Sequence, residues 1–197
     1  MNYCRKRHTA LHVDSTPRMP TILTILAEGF EEIEAITPVD LLRRAGAEVT
    51  LAAIGDGIHV TGRNGMTMHA DTMLGTLETT DFDCIFLPGG PGVKHLRDDP
   101  RVRAIVLRHA RAGRWVAAIC AAPTVLHDVG LLDGRRYTAH FSVAHELPNL
   151  LADHRVVVDD HLLTSRGAGT ALDFSLLLVE KLFSPEKALD VSRSICA

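Results

Sequence analysis

Cys120 closes an apolar run, Trp115-Val116-Ala117-Ala118-Ile119, and Ala121-Ala122-Pro123 follows at once. This stretch predicts a buried strand turning sharply into a helix, with the thiol at the turn. A sulfur there faces unpaired N–H groups at a helix start, which favour negative charge. The thiolate is the form of cysteine that attacks electrophiles, and strand-to-helix elbows present nucleophiles in this way. The same position also suits a plain core thiol, since unpaired cysteine is among the most buried residue types. Gly89-Gly90 follows another apolar run, Cys84-Ile85-Phe86-Leu87. A glycine pair lets backbone approach a ligand and aim N–H groups at it. It reads either as an oxyanion site for a carbonyl attacked by sulfur or as a tight turn. Glu34, near Ile33 and three residues before Thr37, either projects into the site or is a solvated acid in an acidic helix start. His140, ending the run Tyr137-Thr138-Ala139, is a candidate proton carrier or a structural histidine.

These residues need a scaffold, and strand and helix signals alternate along the chain. Strands are predicted at residues 21–27, 48–54, 83–87, 115–119 and 161–165, with shorter extended pieces at 58–61, 66–70, 135–140 and 155–160. Helices are predicted at 31–45, 102–112, 143–151 and 172–182. In the first, Ile33, Ile36, Val39, Leu41 and Leu42 supply the apolar positions, Arg43-Arg44 suit the helix end and Gly46 stops it. Pro38 inside it suggests a kink. A last helix starts at Ser184-Pro185, with serine as N-cap and proline at the first turn. Strands alternating with helices imply an α/β fold, a mostly parallel sheet covered on both faces. Ligands then bind beyond the carboxyl ends of the strands, where the loop at 28–34, Gly89-Gly90 and Cys120 converge.

At 197 residues the chain reads as one domain, residues 20–197. Residues 1–19 carry four basic side chains against one acid and no apolar core of a signal peptide. They read as a disordered tail or an upstream start codon. Net charge −3 and pI near 6.4 leave no electrostatic footprint for nucleic acid. No apolar run approaches the roughly 20 residues of a membrane span. Cys4, Cys84, Cys120 and Cys196 form no CxxC, and the eleven histidines form no metal-binding pair. A reducing, cytoplasmic compartment without a metal site is the simplest expectation.

Four segments also carry a family resemblance: AEGFEEIEAITPVDLLRRAG (27–46), LPGGPG (87–92), AAICAAPTVL (117–126) and LLTSRGAGTALDF (162–174). Together, in this order, they resemble the ThiJ/PfpI superfamily, in the branch of the parkinsonism-linked protein deglycase and its bacterial YajL-like relatives. The resemblance implies a flavodoxin-like three-layer sandwich with a nucleophile elbow, a homodimer, and cofactor-free chemistry on small aldehydes or glycated substrates. It places the nucleophile at Cys120, its acid partner at Glu34, proton transfer at His140, and backbone N–H groups at Gly90 and Ala121. It also implies an anion-binding pair, Arg44 and, from the partner subunit, Arg63. With a helix N-terminus and Arg44 nearby, Cys120 is expected to ionise below about pH 7, against about 8.5 for a free thiol. The implied activity is glyoxalase or deglycase action on methylglyoxal, glyoxal or their adducts. The alternatives are an oxidative-stress sensor or chaperone working by oxidation of Cys120, and a thiamine-pathway label. Ala121 stands where the protease-like branch has histidine. Ala118 and Ala122 replace the glycines that flank the cysteine of glutamine amidotransferases.

Overall fold

The structure, a computed structural model, describes residues 18–197. The expected tail falls almost wholly outside the described residues. The sheet is built from β1 (Thr21–Leu26), β2 (Glu48–Ala53), β5 (Thr72–Met73), β6 (Cys84–Leu87), β7 (Trp115–Ile119), β8 (Val156–Asp159) and β9 (Leu162–Ser165). Its order is β5-β2-β1-β6-β7-β9-β8, and each neighbouring pair is parallel except β8 with β9. Strands buried on both faces read as continuous apolar runs, and alternate residues divide between two cores. Ile22 and Leu26 of β1, with Ala117 and Ile119 of β7, enter one core. Leu23 and Ile25, with Val116 and Ala118, enter the other.

The first face is covered by α1 (Glu32–Ala45), α5 (Ala171–Leu182) and α6 (Pro185–Ser194). The second is covered by α2 (Val93–Asp98), α3 (Pro100–Arg111) and α4 (Pro123–Asp128). Phe174 of α5 is fully buried and stacks on Phe86 of β6 at 5.6 Å between centroids. Truncation to Phe174→Ala is expected to cost about 3–5 kcal/mol, read from the urea midpoint. Ser184 caps α6 by accepting from Lys187 N–H at 3.2 Å.

In three places the chain differs from its pattern. Residues 135–140 form no strand. The slot beside β7 belongs to β9, so Arg136 N–H donates to Asp159 Oδ2 (2.6 Å) and Thr138 N–H to Thr164 Oγ1 (3.0 Å). Residues 143–151 form no α-helix. A short 3₁₀ turn, Phe141–Val143, gives way to turns before Pro148, which lacks an N–H and disfavours helical backbone at Leu147. Ile33 and Ile36, expected in the core, stand 53% and 43% exposed, while Val39, Leu41 and Leu42 are buried. The inner face of the first turns is taken instead by Glu32, Glu34 and Ala35. A hairpin of β3 (His59–Thr61) and β4 (Thr67–His69) stands apart from the main sheet. Among the described residues no helix is long and apolar enough to cross a membrane.

Candidate active site

Cys120 follows β7 with φ of 65°, a left-handed conformation that costs most residues roughly 1–3 kcal/mol. Its surroundings impose it. The Cys120 N–H donates to Ser165 O at the end of β9 (2.9 Å), and Cys120 O accepts from His140 N–H (2.8 Å). Both backbone groups of the elbow are therefore pinned, and His140 is tied to the cysteine it faces. The N–H groups of Gly90 and Ala121 favour charge on the sulfur.

Glu34 lies in the first turn of α1, where Glu31 caps the helix by accepting from Glu34 N–H at 2.8 Å. Only 2% exposed, the Glu34 side chain faces Cys120, and its Oε2 has no partner of hydrogen-bond geometry. Gly89 makes this proximity possible. A β-carbon there would sit 2.3 Å from Glu34 Oε2 and 2.5 Å from Cys120 Cβ. Gly89→Ala must therefore displace either the acid or a pinned elbow. It is expected to lower kcat/KM by about 100-fold or more, measured against a circular-dichroism check of folding. The Gly89 N–H lies near enough to the Glu34 carboxylate to favour its charge. Gly90, at φ 96°, packs against the Gly29–Glu31 backbone.

Burial is the largest cause that raises Glu34 to about 7, and the charge of Glu31 adds to it. Burial and the adjacent Glu34 carboxylate likewise push the Cys120 thiol up to about 12. Within this chain neither Arg44 nor a long helix dipole is placed to offset that push. Arg44 pairs with Asp40 (2.8 Å) at the far end of α1, ten residues and about 15 Å along the helix from Glu34. The helix after the elbow, α4, has only six residues. Ionisation of Cys120 instead depends on Glu34. When Glu34 holds the proton, its repulsion vanishes and its O–H donates to sulfur. The two groups then titrate as a pair.

A cavity of about 340 Å³ opens over this pair, lined by Glu31, Glu34, Arg63, Gly90, Pro91, Cys120, Ala121, His140, Ser142 and Ala168. Arg63, expected from a partner subunit, lines it within this chain, and this chain's Arg44 does not line it. Buried Glu32 sets the Arg63 turn by accepting from Asn64 N (2.7 Å) and Nδ2 (2.9 Å). His140 Nδ1 meets Ser142 Oγ at 2.8 Å, and the ring lies against Phe141. Burial, Arg166 and Arg63 lower its pKa, so the imidazole is neutral at pH 7. Sequence reasoning brought the 28–34 loop to the site without giving Glu31 a role, and it missed Ser142 and the Arg166–Ala168 loop. That loop leaves the carboxyl end of β9 beside β7, so the strand-end rule contained the signal. A larger cavity, about 580 Å³, lies by Leu26, Ile54 and Pro100 and contains no cysteine. Among the described residues no cluster of three or more His, Cys, Asp or Glu is placed to hold a metal ion.

The sequence profile of the DJ-1/PfpI family matches residues 20–181. The chain belongs to the DJ-1/PfpI family. Among DJ-1/PfpI relatives it is 40% identical over 178 residues to Protein DJ-1 homolog A of Arabidopsis thaliana, covering 89% of this chain and 45% of that protein. It is 33% identical over 178 residues to the Glutathione-independent glyoxalase DJR-1.2 of Caenorhabditis elegans, covering 89% and 95%. The chain spans less than half the length of the two Arabidopsis homologues it matches. The oxidised form of Toxoplasma gondii DJ-1 superposes with a TM-score of 0.87 at 36% identity, over 90% of this chain and 98% of that one. Drosophila melanogaster DJ-1beta gives 0.87 at 35% identity, over 91% and 99%. The α/β fold is thus the flavodoxin-like fold of DJ-1 structures.

Proposed function

We propose that the chain is a cofactor-free glyoxalase of deglycase type, acting on methylglyoxal, glyoxal or their adducts through Cys120. The observation that carries this reading is a buried acid with an unpartnered oxygen, Glu34, set against a cysteine held at a strained elbow. The glyoxalase name of the C. elegans relative supports it. The Cys120 thiolate adds to the aldehyde carbon of methylglyoxal. The carbonyl electron pair moves to oxygen, which takes the Glu34 proton. The hemithioacetal then loses its C1 proton to Glu34 or neutral His140, giving an enediol. Reprotonation at C2 yields a lactoyl thioester on Cys120. Water hydrolyses the thioester, so methylglyoxal plus water becomes lactate with no external oxidant or reductant. On a hemiaminal or hemithioacetal adduct, the bond from carbon to Cys120 sulfur replaces its C–N or C–S bond, and the departing amine or thiol takes the Glu34 proton.

The test is lactate formation in buffer free of thiols and amines. Lactate accumulating far beyond one equivalent per chain is expected, whereas aldehyde loss that stops at one equivalent would sink the reading. A second reading is a sensor in which two equivalents of peroxide oxidise Cys120 to a sulfinate and are reduced to water; stoichiometric oxidation without lactate turnover would favour it. A protonated Glu34 and the Gly90 and Ala121 N–H groups would hold such a group, and the Toxoplasma relative was solved oxidised. Cys84, Cys120 and Cys196 are free, which suits a reducing, cytoplasmic setting.

The same reading includes a homodimer. Ile33 and Ile36 project from one side of α1, and Met66 from the nearby hairpin is 53% exposed. Their burial against a second copy is expected to give twice the chain mass in light scattering at micromolar concentration. A monomer there would remove this interface.

A further inference from the structure

A second cavity, about 420 Å³, adjoins the one over Cys120 and shares His140 and Ala168 with it. Its charged lining residues are both arginines. Arg155 is occupied: its Nε donates to Asp173 Oδ2 (2.7 Å) and its Nη2 to Gly169 O (3.0 Å). Arg166 is different. Among the described residues its guanidinium has no ion pair and no hydrogen bond, although it lies close enough to His140 to oppose its protonation. Glu31, Glu34 and Arg63 line the Cys120 side of the joined space, and Gly167 between the two cavities lies beside Glu34. Among the described residues no acid lines the Arg166 side. Phe141, 75% exposed and 4.1 Å from the His140 ring, lies at the junction. Methylglyoxal, with five heavy atoms, does not need this second space; pockets of several hundred Å³ hold much larger ligands.

We propose that the Arg166 cavity is a carboxylate subsite, and that the preferred substrates are 2-oxoaldehydes carrying a carboxylate a few atoms from the reacting carbonyl. This rests on the glyoxalase reading above. The planar fork of a free guanidinium matches a carboxylate in two parallel hydrogen bonds. At the Cys120 side Glu31 opposes the pull of Arg63 on that carboxylate, whereas no acid among the described residues lines the cavity around Arg166, which therefore holds it with the aldehyde left toward Cys120. Arg166 acts here on specificity, not on the bond-making steps.

Two probes of equal heavy-atom count test it: 4,5-dioxopentanoate and uncharged 5-methyl-2-oxohexanal, which carries an isopropyl group in place of the carboxylate. In the wild-type protein kcat/KM is expected to favour the carboxylate by about tenfold or more. Arg166→Gln should bring the ratio near one, chiefly through KM, and Arg166→Lys should restore part of it. Because the readout is a ratio, a loss common to both substrates cancels. A wild-type ratio near one, or a ratio unmoved by Arg166→Gln, overturns the subsite. If neither probe nor methylglyoxal is turned over, the glyoxalase reading fails. The subsite is then decided by protection of Cys120 from iodoacetamide. Stronger protection by 4-oxopentanoate than by 2-pentanone, lost in Arg166→Gln, upholds it; equal protection overturns it.

Discussion

Cys120→Ala is expected to lower kcat/KM for methylglyoxal by at least about a thousandfold, and Cys120→Ser nearly as much, with folding retained. Removal of a covalent nucleophile leaves only binding and polarisation, and losses of three or more orders of magnitude follow. The fold survives because alanine keeps the Ser165 and His140 backbone hydrogen bonds that pin the elbow. It inherits the same positive φ, so it adds no new strain. Cys84 cannot substitute: it is fully buried in β6, and burial pushes its thiol far above the ordinary range. Steady-state lactate assays on the two variants, beside thermal melts, check this. Turnover in Cys120→Ala within tenfold of wild type would assign the chemistry elsewhere.

Changing Glu34 has the second largest expected effect, and it separates two roles. Glu34→Gln keeps a hydrogen-bond donor to the thiolate but moves no proton. It should lose most turnover, about 100-fold or more, while Cys120 still reacts readily with iodoacetamide at pH 7. Glu34→Ala removes donor and acid together and should lose both turnover and thiol reactivity. Stability moves with pH in a defined direction. The folded-state pKa of Glu34, about 7, lies above its ordinary 4.5. The native protein therefore holds a proton that the unfolded chain has released between these values. Its stabilising effect is complete below about pH 4.5 and is lost as pH rises through 7, by up to about 3 kcal/mol. Glu34→Gln should lack that decline, read as a difference in melting temperature that widens in its favour from pH 4.5 to 8. Parallel pH profiles for both proteins would mean that Glu34 is ionised throughout.

Local pattern carried the scaffold and the elbow far into the sequence. An apolar run ending in Cys-Ala-Ala-Pro marked β7 and its turn, and Ser184-Pro185 marked α6, because these signals lie within a few residues. What depends on distant packing was not legible. Whether Glu34 points inward is set by Gly89, 55 positions away, whose missing β-carbon leaves room for the carboxyl. Periodicity assigned Ile33 and Ile36 to the core, yet two acids, Glu32 and Glu34, take the inner face at the start of α1. Residues 135–140 look extended, but β9 occupies their place in the sheet. Arg44 entered the site by resemblance, and its distance along α1 keeps it from the site of its own chain. Arg63 entered by the same route, assigned to a partner, and the hairpin turn delivers it within one chain. What governs the thiol's ionisation was not legible either: a helix terminus and a cation are visible in sequence, whereas burial beside an acid that can hold the proton is not.

The central claim is that Cys120 and Glu34 share one proton, with the charge on sulfur when the acid holds it. The pH dependence of Cys120 alkylation by iodoacetamide, followed by mass spectrometry of the Cys120 peptide from pH 5 to 11, tests this most directly. The account predicts a rate that rises to an inflection near pH 7, as the pair loses its first proton, and then stays level. A rate that shows no inflection there and climbs tenfold per pH unit to the top of the range would place the proton on sulfur and contradict it.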